Sequence, residues 1–440
     1  MKFLYLNTRF YLALLLTFIL FVTGFFVSVF FYAAIVFLLM ILAFVTIETF
    51  MLFHTKEGIS MERIVPERLS NGDKNEIVLK IKNNYPFQIS AEIIDELPFQ
   101  FQERNFLLTT DFLKHSHQSL SYFVIPKQRG VYNFGITNVY ASTLIKLVSK
   151  RYKLSENENI TVYPSFLNLR KYELLASKTA LLPNGIKRTR KIGQSSEFEQ
   201  IKEYVLGDDL RHVNWKASAK KQHLMVNHYQ EEKAQNVYLL IDKGRTMKMP
   251  FDGMTLLDYS INAALMLANI SVKRQDKAGL WTFEKKTDVF LKADNKPLQI
   301  RRIVDALYHI TTNFKESNYE YVLTDSLKKI QKRSLLILFT NFETLDAMNR
   351  QLPYLRALAK KHVLLVIIFE NTLLNEVHSK KINSTKDIYI QTIASKFVYE
   401  KQLIIQQLQI HGIKTVYTKP ADLSVNLLNK YLEIKRQEII

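Results

Sequence analysis

The sequence of 440 residues contains no cysteine. This absence excludes disulfide bonds, thiolate nucleophiles, cysteine-ligated zinc and iron–sulfur clusters. Glycine is also scarce, with 12 residues, and none of the glycine motifs of phosphate-binding loops, dinucleotide-binding folds or serine hydrolases occurs. The metallopeptidase motif H-E-x-x-H is missing as well. The sequence therefore offers no direct sign of nucleotide chemistry or of these hydrolase classes.

Acidic residues are the minority charge. The 41 Asp and Glu residues stand against 60 Lys and Arg residues, giving a formal net charge of +19. Such a balance favours anionic partners: nucleic acid, anionic lipid or an acidic protein face. The basic residues are scattered rather than interleaved with aromatic residues in one segment, so we expect no nucleic-acid partner. A basic body next to a membrane is instead expected to lie against anionic lipid.

Charge is nearly absent between residues 10 and 53, where Glu48 is the only charged residue. A continuous helix of this length would measure about 66 Å, about twice the thickness of a bilayer's hydrocarbon core. A secretory signal peptide has a far shorter apolar core. We therefore predict a membrane hairpin within residues 1–55, with spans at about 10–30 and 32–53. Glu48 is expected to reach the lipid headgroups from the last turns of the second span.

The basic residues that flank the hairpin predict its orientation. The connecting turn has none, whereas both flanks carry them: Lys2 and Arg9 before the first span, and Lys56, Arg63 and Arg68 after the second. The positive-inside rule then places both ends on the cytoplasmic side. We predict a two-span protein of the cytoplasmic (inner) membrane, with both termini and the soluble domains in the cytoplasm.

The rest of the chain predicts two domains joined by a basic junction, which makes the protein multi-domain. Residues 56–165 alternate apolar and polar side chains in short runs, as an antiparallel β-sandwich does. Residues 235–440 alternate apolar runs with longer amphipathic stretches, which predicts an α/β domain with a mostly parallel sheet covered by helices. Its expected strands are 237–241, 278–283, 335–339, 363–369 and 415–417, and its expected helices are 256–273, 298–310, 319–331, 345–361, 394–410 and 423–436. In the junction, residues 166–234, the basic run 187–191 is expected to be a solvated loop.

The junction contains the densest cluster of polar and aromatic residues, at 197–220. One hypothesis is a hydrolytic metal site built from Asp208, Asp209 and His212, with His223 or His228 as a further ligand. The alternative is structural: the two aspartates cap an amphipathic helix that begins near Leu210 and fixes the two domains. The candidate ligands point to different faces of such a helix, which favours the structural interpretation.

A second feature follows the predicted strand 237–241 directly. Asp242, Gly244 and Thr246 occupy the positions of a D-x-S-x-S pattern, with glycine in the first serine position. That pattern supplies a carboxylate and two hydroxyls to Mg²⁺, which prefers oxygen ligands. Ligands bind at the carboxyl edge of the sheet in α/β folds. The segment is therefore either a strand-to-helix turn or part of a cation site.

The two segments, in this order, resemble the bacterial domain-of-unknown-function 58 family. The family pattern is E-F-x-x-I/L-R-x-Y-x-x-G-D-D-x-R-x-I-N-W-x-A-S-A, and the resemblance extends to residues 128–132, 162–164 and 429–435. The positions that carry the motif here are Glu197, Phe198, Tyr204, Gly207, Asp208, Asp209, Arg211, Asn214, Trp215 and Ser218. The resemblance implies a von Willebrand factor A-like (vWA-like) domain with a Rossmann-like fold.

The resemblance also implies a degenerate metal-ion-dependent adhesion site that would take Mg²⁺. By position, Asp242 and Thr246 match two ligands of its first loop, and Ser317 stands near the hydroxyl of its second loop. Asn341 lies where the third loop would supply an aspartate. Members of the family are often encoded beside MoxR-type AAA+ ATPases, which implies that they are adaptors for these chaperones.

These observations lead to a prediction of function. We expect a non-enzymatic, membrane-anchored adaptor or scaffold whose strand-edge loops bind a protein partner: a MoxR-type AAA+ ATPase or another vWA protein. No small-molecule substrate and no certain cofactor are expected. The alternative is a metal-dependent hydrolase of the cell envelope that uses Asp208, Asp209 and His212.

Overall fold

The computed structural model describes residues 4–55, 57–167, 197–205, 208, 210–230, 234–372, 374, 377 and 385–437. The chain divides into two compact units, Met1–Leu167 and Asn168–Ile440. The basic run 187–191 and the motif residues Gly207 and Asp209 lie outside the described residues.

After a short strand at Leu4–Leu6, the first unit has two apolar helices, α1 (Thr8–Gly24) and α2 (Ser28–His54). The chain therefore reverses earlier than the predicted spans suggest, and α1 has only 17 residues. Gly24 explains the position of the turn, because a Cβ there would come within 2.7 Å of the Phe31 nitrogen. Of the described helices, Ser28–His54 alone is long and apolar enough to cross a membrane by length and composition.

Several antiparallel sheets follow, as the alternating pattern predicts. One has the order β1-β10-β9-β5-β6, the second β2-β4-β7 and the third β3-β11-β8, where β3 pairs with β11 in parallel. In β4, alternate side chains are buried, and the inner faces of the three sheets share one hydrophobic core. The strands are β1 (Leu4–Leu6), β2 (Ile59–Ile64), β3 (Arg68–Ser70), β4 (Asn75–Asn83), β5 (Ile89–Asp95), β6 (Leu108–Phe112), β7 (His117–Val124), β8 (Gly130–Phe134), β9 (Thr137–Ser142), β10 (Val148–Lys153) and β11 (Glu158–Tyr163).

The prediction that Glu48 reaches the lipid headgroups required an exposed side chain, but Glu48 is buried. It is 2% exposed, and its carboxylate accepts hydrogen bonds from the backbone N–H of Leu147 (3.0 Å) and Val148 (2.9 Å) and from the Thr143 hydroxyl. The reason is that the last turns of α2 pack against the sheets, where the loop between β9 and β10 and the first residue of β10 present these donors. At the end of α2, the Lys150 ammonium donates to the Leu52 carbonyl at 3.0 Å.

The junction forms a strand pair instead of one amphipathic helix. The strands β12 (Glu197–Glu203) and β13 (Met225–Gln230) pair antiparallel. The helix predicted to begin near Leu210 begins later: a 3₁₀ turn at Leu210–His212 is followed by α3 (Trp215–Lys221). The late start has a local cause, because Val213 forms a β-bridge with Val226 and draws the chain out of helical geometry.

The second unit also contains a six-stranded mixed sheet of order β18-β17-β14-β19-β20-β21. Numbered along the chain within this sheet, the order is 3-2-1-4-5-6, and only the edge strand β18 is antiparallel. The strands are β14 (Asn236–Asp242), β17 (Lys277–Phe283), β18 (Thr287–Asp294), β19 (Leu335–Phe339), β20 (Val363–Phe369) and β21 (Lys414–Thr418), and a small hairpin outside the sheet comprises β15 (Pro250–Phe251) and β16 (Met254–Thr255).

Helices cover both faces of this sheet. Successive residues of β14 face opposite cores, Leu239 on one side and Leu240 on the other. The helices are α4 (Leu256–Lys273), α5 (Pro297–Tyr308), α6 (Tyr319–Lys329), α7 (Leu345–Lys361), α8 (Thr385–Ile410) and α9 (Leu423–Arg436). Helices α4, α5 and α9 pack on the Leu239 side, and α6, α7 and α8 pack on the Leu240 side.

His362, which links α7 to β20, makes a testable prediction about pH. It is 1% exposed, and within the described part of the chain neither ring nitrogen has a hydrogen-bond partner. Burial, aided by Lys361 and Arg333, lowers its pKa from 6.5 to about 4. As the pH falls from 6.5 towards 4, the unfolded chain takes up the proton first, so folding loses about 2–3 kcal/mol.

Urea unfolding of the full chain in detergent at several pH values measures this loss, with emission of the buried Trp281 as the signal. In His362→Leu, the acid-dependent part of the loss should disappear. His309→Gln, at an exposed histidine, should keep it. Parallel pH profiles for His362→Leu and the unaltered chain would contradict the assignment.

Candidate functional site

The carboxyl edge of the six-stranded sheet contains a buried polar cluster centred on Asp242. The chain crosses from β14 to β17 on one side and later returns to β19 on the other, so the topological switch point lies beside β14. Crevices at such points are the usual ligand sites of open α/β sheets. Asp242 is the last residue of β14 and therefore lies at this edge.

Asp242 is the centre of a hydrogen-bond network. Its Oδ1 accepts from the Gly244 N–H (2.7 Å) and the Ser317 hydroxyl, and its Oδ2 accepts from the hydroxyls of Thr340 (2.7 Å) and Tyr319 (3.0 Å). The hydroxyls of Tyr319 and Thr340 also meet at 2.6 Å. One carboxylate thus joins the chain segments that follow β14, precede α6 and follow β19. These five residues are called the Asp242 network below.

Burial and hydrogen bonding have opposite effects on the pKa of the Asp242 carboxyl group. Asp242 is 2% exposed, and burial raises its pKa above the usual value, while the four hydrogen bonds act in the opposite direction. Burial, reinforced by the nearby carboxylate, raises the pKa of Tyr319 well above its usual value. Tyr319 therefore remains a hydrogen-bond donor across the physiological range.

Gly244 is required by the space that Ser317 occupies. A Cβ at residue 244 would overlap the Ser317 hydroxyl oxygen and come within 3.0 Å of Asp242 Oδ1. The hydroxyl expected at residue 244 in a D-x-S-x-S pattern is thus supplied by Ser317. The glycine and the serine are complementary features of one site.

The segment that carries Ser317 is held by further bonds to the neighbouring strand ends. The Glu284 carboxylate accepts from the Lys315 N–H at 3.2 Å, and the Glu284 carbonyl accepts from the Asn318 N–H at 2.8 Å. The Lys315 carbonyl accepts from the Arg245 N–H at 3.1 Å. The segment that follows β14 and the segment that precedes α6 are therefore fixed to each other as well as to Asp242.

The other two predicted ligands are arranged differently. Thr246 lies in the 3₁₀ turn Arg245–Lys248 and is not part of the Asp242 network. Asn341 Oδ1 accepts from the Lys401 ammonium at 2.8 Å. Burial lowers the pKa of Lys401 to about 8. Sequence reasoning missed Thr340 and Tyr319, although a hydroxyl directly after a buried strand was a usable signal for Thr340.

The donor set fits a divalent cation poorly. Mg²⁺ takes an octahedral shell of oxygens, usually with one or two carboxylates. Here one carboxylate already accepts four hydrogen bonds, about as many as its lone pairs allow. Within the described ranges, no group of three or more His, Asp or Glu residues is arranged to hold a metal ion. The residues of the Asp242 network are instead arranged to hold the three loop segments together by hydrogen bonding.

Around the Asp242 network, the same edge exposes basic and aromatic side chains. Phe314 is 59% exposed, and the Lys248 ammonium lies 3.9 Å from the centre of its ring. Arg245, Lys315 and Glu316 are also exposed. We call these five residues the loop face. It combines an aromatic anchor with mostly positive charge, as binding surfaces often do.

Most of the described motif residues of the junction make hydrogen bonds or ion pairs that hold its local structure. Asp208 pairs with Lys202 at 2.9 Å and accepts from the Val205 N–H at 3.1 Å. Asn214 caps α3 by accepting from the Ala217 N–H at 3.0 Å.

Three further observations concern the motif. The Ser218 hydroxyl donates to the Asn214 carbonyl at 2.8 Å and accepts from the Met225 N–H at 2.8 Å. Trp215, by contrast, is 73% exposed. The backbones of the remaining described positions are in β12 (Glu197, Phe198), in the turn that leads to Asp208 (Tyr204) and in the 3₁₀ turn (Arg211, His212).

A family model and a curated relative match part of the chain that includes this site. A family model described as "Protein of unknown function DUF58" matches residues 200–374, which include the second half of β12, the whole Asp242 network and β20. This region, which is less than half of the chain, is similar to the DUF58 family. The uncharacterized protein YeaD of Bacillus subtilis (strain 168) is 23% identical over 185 residues. The match covers 40% of this chain and 45% of YeaD, less than half of that relative's length.

Two solved structures resemble about a quarter of this chain. The CARDB domain of the PF1109 protein from Pyrococcus furiosus is 14% identical, covers 24% of this chain and 86% of its own, and has a TM-score of 0.18. A PapD-like domain of human CEP192 is 13% identical, covers 26% and 89%, and has a TM-score of 0.17. With TM-scores this low, neither structure identifies the fold or the function of this chain.

Proposed function

We propose that this protein is a non-enzymatic, membrane-anchored adaptor that binds a protein partner through the loop face. The Asp242 network is the observation that carries the proposal. A buried carboxylate at the switch point joins three segments, and its burial raises its pKa above the usual value. Such a group is more costly than an apolar residue, so a role in shaping the adjacent surface accounts for it.

The apolar helices supply the proposed anchor. Helix α2 is long enough to span a bilayer, and α1 would pair with it as a second, shorter span. The flanking basic residues favour cytoplasmic ends and cytoplasmic soluble domains. In this arrangement the sheets of the first unit act as a spacer, and the α/β domain, proposed to be vWA-like, carries the loop face.

The partner proposed is a MoxR-type AAA+ ATPase, because the family resemblance implies it. The loop face favours a partner surface with acidic groups around an apolar pocket, since Phe314 lies among three basic side chains. No metal is needed in this proposal, because hydrogen bonds alone hold the Asp242 network. The hydrolase hypothesis has no supporting observation among the described residues.

The test is crosslinking in intact membranes followed by mass spectrometry. Asp242→Ala removes the acceptor for all three segments, and we expect partner capture to fall about tenfold or more. Asp276→Ala is the matched control: it is also a buried aspartate that accepts from a tyrosine, Tyr431, but it precedes β17 and lies at the opposite edge of the sheet.

Three further results make the test decisive. Asp242→Asn keeps an oxygen for Gly244 and Ser317, and its amide can donate to the Thr340 hydroxyl, so it should restore part of the capture. Emission from Trp281 checks that each variant is folded. The adaptor proposal requires the captured protein to be an AAA+ ATPase or another vWA protein. Equal capture by Asp242→Ala and the unaltered chain would refute the role of the loop face.

A further inference from the structure

The loop between β9 and β10 projects two apolar side chains beside the helical hairpin. Leu144 and Ile145 are 64% and 44% exposed, and they stand next to each other at the tip. We propose that this loop, residues 143–147, inserts its tip into the bilayer interface and forms a third membrane contact of the first unit. The inference rests on the proposed membrane anchor, and its test separates the two.

The loop is fixed between the two helices at one end of the hairpin. On the side of α1, the Asn7 N–H donates to the Leu147 carbonyl at 3.0 Å, and the Arg9 guanidinium donates to the Ile145 carbonyl at 3.1 Å. On the side of α2, the Glu48 carboxylate accepts from both ends of the loop. The tip therefore cannot move away from the helices without breaking these bonds.

The position of the loop along the hairpin matches a membrane boundary. At 1.5 Å per residue, the rise along α2 from Tyr32, near the hairpin turn, to Glu48 is about 24 Å. A bilayer's hydrocarbon core is about 30 Å thick. If the hairpin turn reaches one side, residues level with Glu48 and Arg9 lie close to the other boundary. Beyond Glu48, Leu52 is buried against the sheets and is not available to lipid.

The chemistry of the loop suits an interface rather than water. Leu144 and Ile145 are flanked by Lys146, and Arg9 and Tyr11 are exposed at the same end of α1. Apolar side chains bordered by basic groups and an interfacial tyrosine are typical of segments that lie at anionic membranes. Lys146 has a left-handed backbone (φ 60°), and its carbonyl accepts from the Asn7 amide at 3.2 Å, which holds the turn at the tip.

The absence of cysteine allows a direct test by single-site labelling of the full chain. An environment-sensitive fluorophore is placed at Leu144→Cys, and the protein is reconstituted into vesicles of phosphatidylcholine and phosphatidylglycerol. Phe44→Cys, at an exposed position in α2, reports the anchor. Phe99→Cys is the aqueous control: Asp95 pairs with Thr137, so Phe99 lies at the end of the sheet opposite to the loop. Lipids with a quencher on the acyl chain, and iodide in the buffer, then report the surroundings of each label.

We expect the lipid-borne quencher to reduce the emission at residue 144 several-fold more than at residue 99, with little effect of iodide at 144. If the label at residue 44 is quenched by lipid but residue 144 behaves like residue 99, the loop inference is wrong and the anchor stands. Residue 144 shielded from both quenchers would indicate contact with a second copy of the chain and would also overturn the inference. An unquenched label at residue 44 would remove the anchor and the loop contact together.

Discussion

Gly244→Ser is expected to disrupt the candidate site, although it restores the residue that a D-x-S-x-S pattern would have. The new Cβ would overlap the Ser317 hydroxyl and press on Asp242 Oδ1. Overpacking and the lost hydrogen bond to a buried carboxylate together should cost about 2–4 kcal/mol of folding free energy. Urea unfolding followed by Trp281 emission measures this loss, and partner capture should fall with it.

A double-mutant cycle tests the reason for that loss. In a Ser317→Ala background the overlapping oxygen is gone, and the hydroxyl of a serine at 244 can donate to Asp242 in its place. Gly244→Ser should therefore cost much less there than in the unaltered chain. Ser317→Ala alone should cost about 1.5–3 kcal/mol, the value of a hydrogen bond to a charged group. Additive effects of the two substitutions would show that the residues do not share one space.

The elements of the α/β domain were predictable because they are long and strongly periodic. The apolar run at residues 335–339 and the amphipathic pattern at 345–361 coincide with β19 and α7. Strand β18 was missed because its side chains are only partly buried at an edge of the sheet. The helix predicted near Leu210 begins only at Trp215 because a tertiary contact, the bridge between Val213 and Val226, overrides the local signal.

The candidate site was only half predictable for a similar reason. Asp242 was identified from its position after a buried strand. Its partners Tyr319 and Thr340 lie 77 and 98 residues further along the chain. No local pattern marks Tyr319, because its role depends on where α6 begins relative to the strand ends. Ser317 and Gly244 can be interpreted only together, because the Ser317 hydroxyl occupies the space that a side chain at residue 244 would need.

Glu48 shows the same limit in the apolar helices. An ionisable residue in an apolar span is commonly taken as functional or as a headgroup contact. Its partners, Thr143, Leu147 and Val148, lie in a different structural element, about 100 residues away along the chain. The sequence pattern identified Glu48 as unusual, but only the fold explains it as the residue that fastens the hairpin to the sheets.

Glu48→Ala should therefore loosen the joint between α2 and β10. It leaves two buried backbone N–H groups and one hydroxyl without their acceptor, which should cost about 3 kcal/mol or more. Glu48→Gln retains one acceptor oxygen and should cost less. Hydrogen exchange measured by mass spectrometry on the full chain in detergent reads the effect directly, as faster exchange of the amides of Leu147 and Val148.

Thr46→Ala is the control, because Thr46 is exposed on the same helix and donates only to the Ala43 carbonyl of that helix at 2.8 Å. Its exchange pattern should match that of the unaltered chain. Unchanged protection of residues 147 and 148 in Glu48→Ala would show that other contacts hold the joint, such as the Lys150 ammonium on the Leu52 carbonyl. Loss of protection in Glu48→Ala but not in Thr46→Ala would show that this carboxylate holds the joint between α2 and β10.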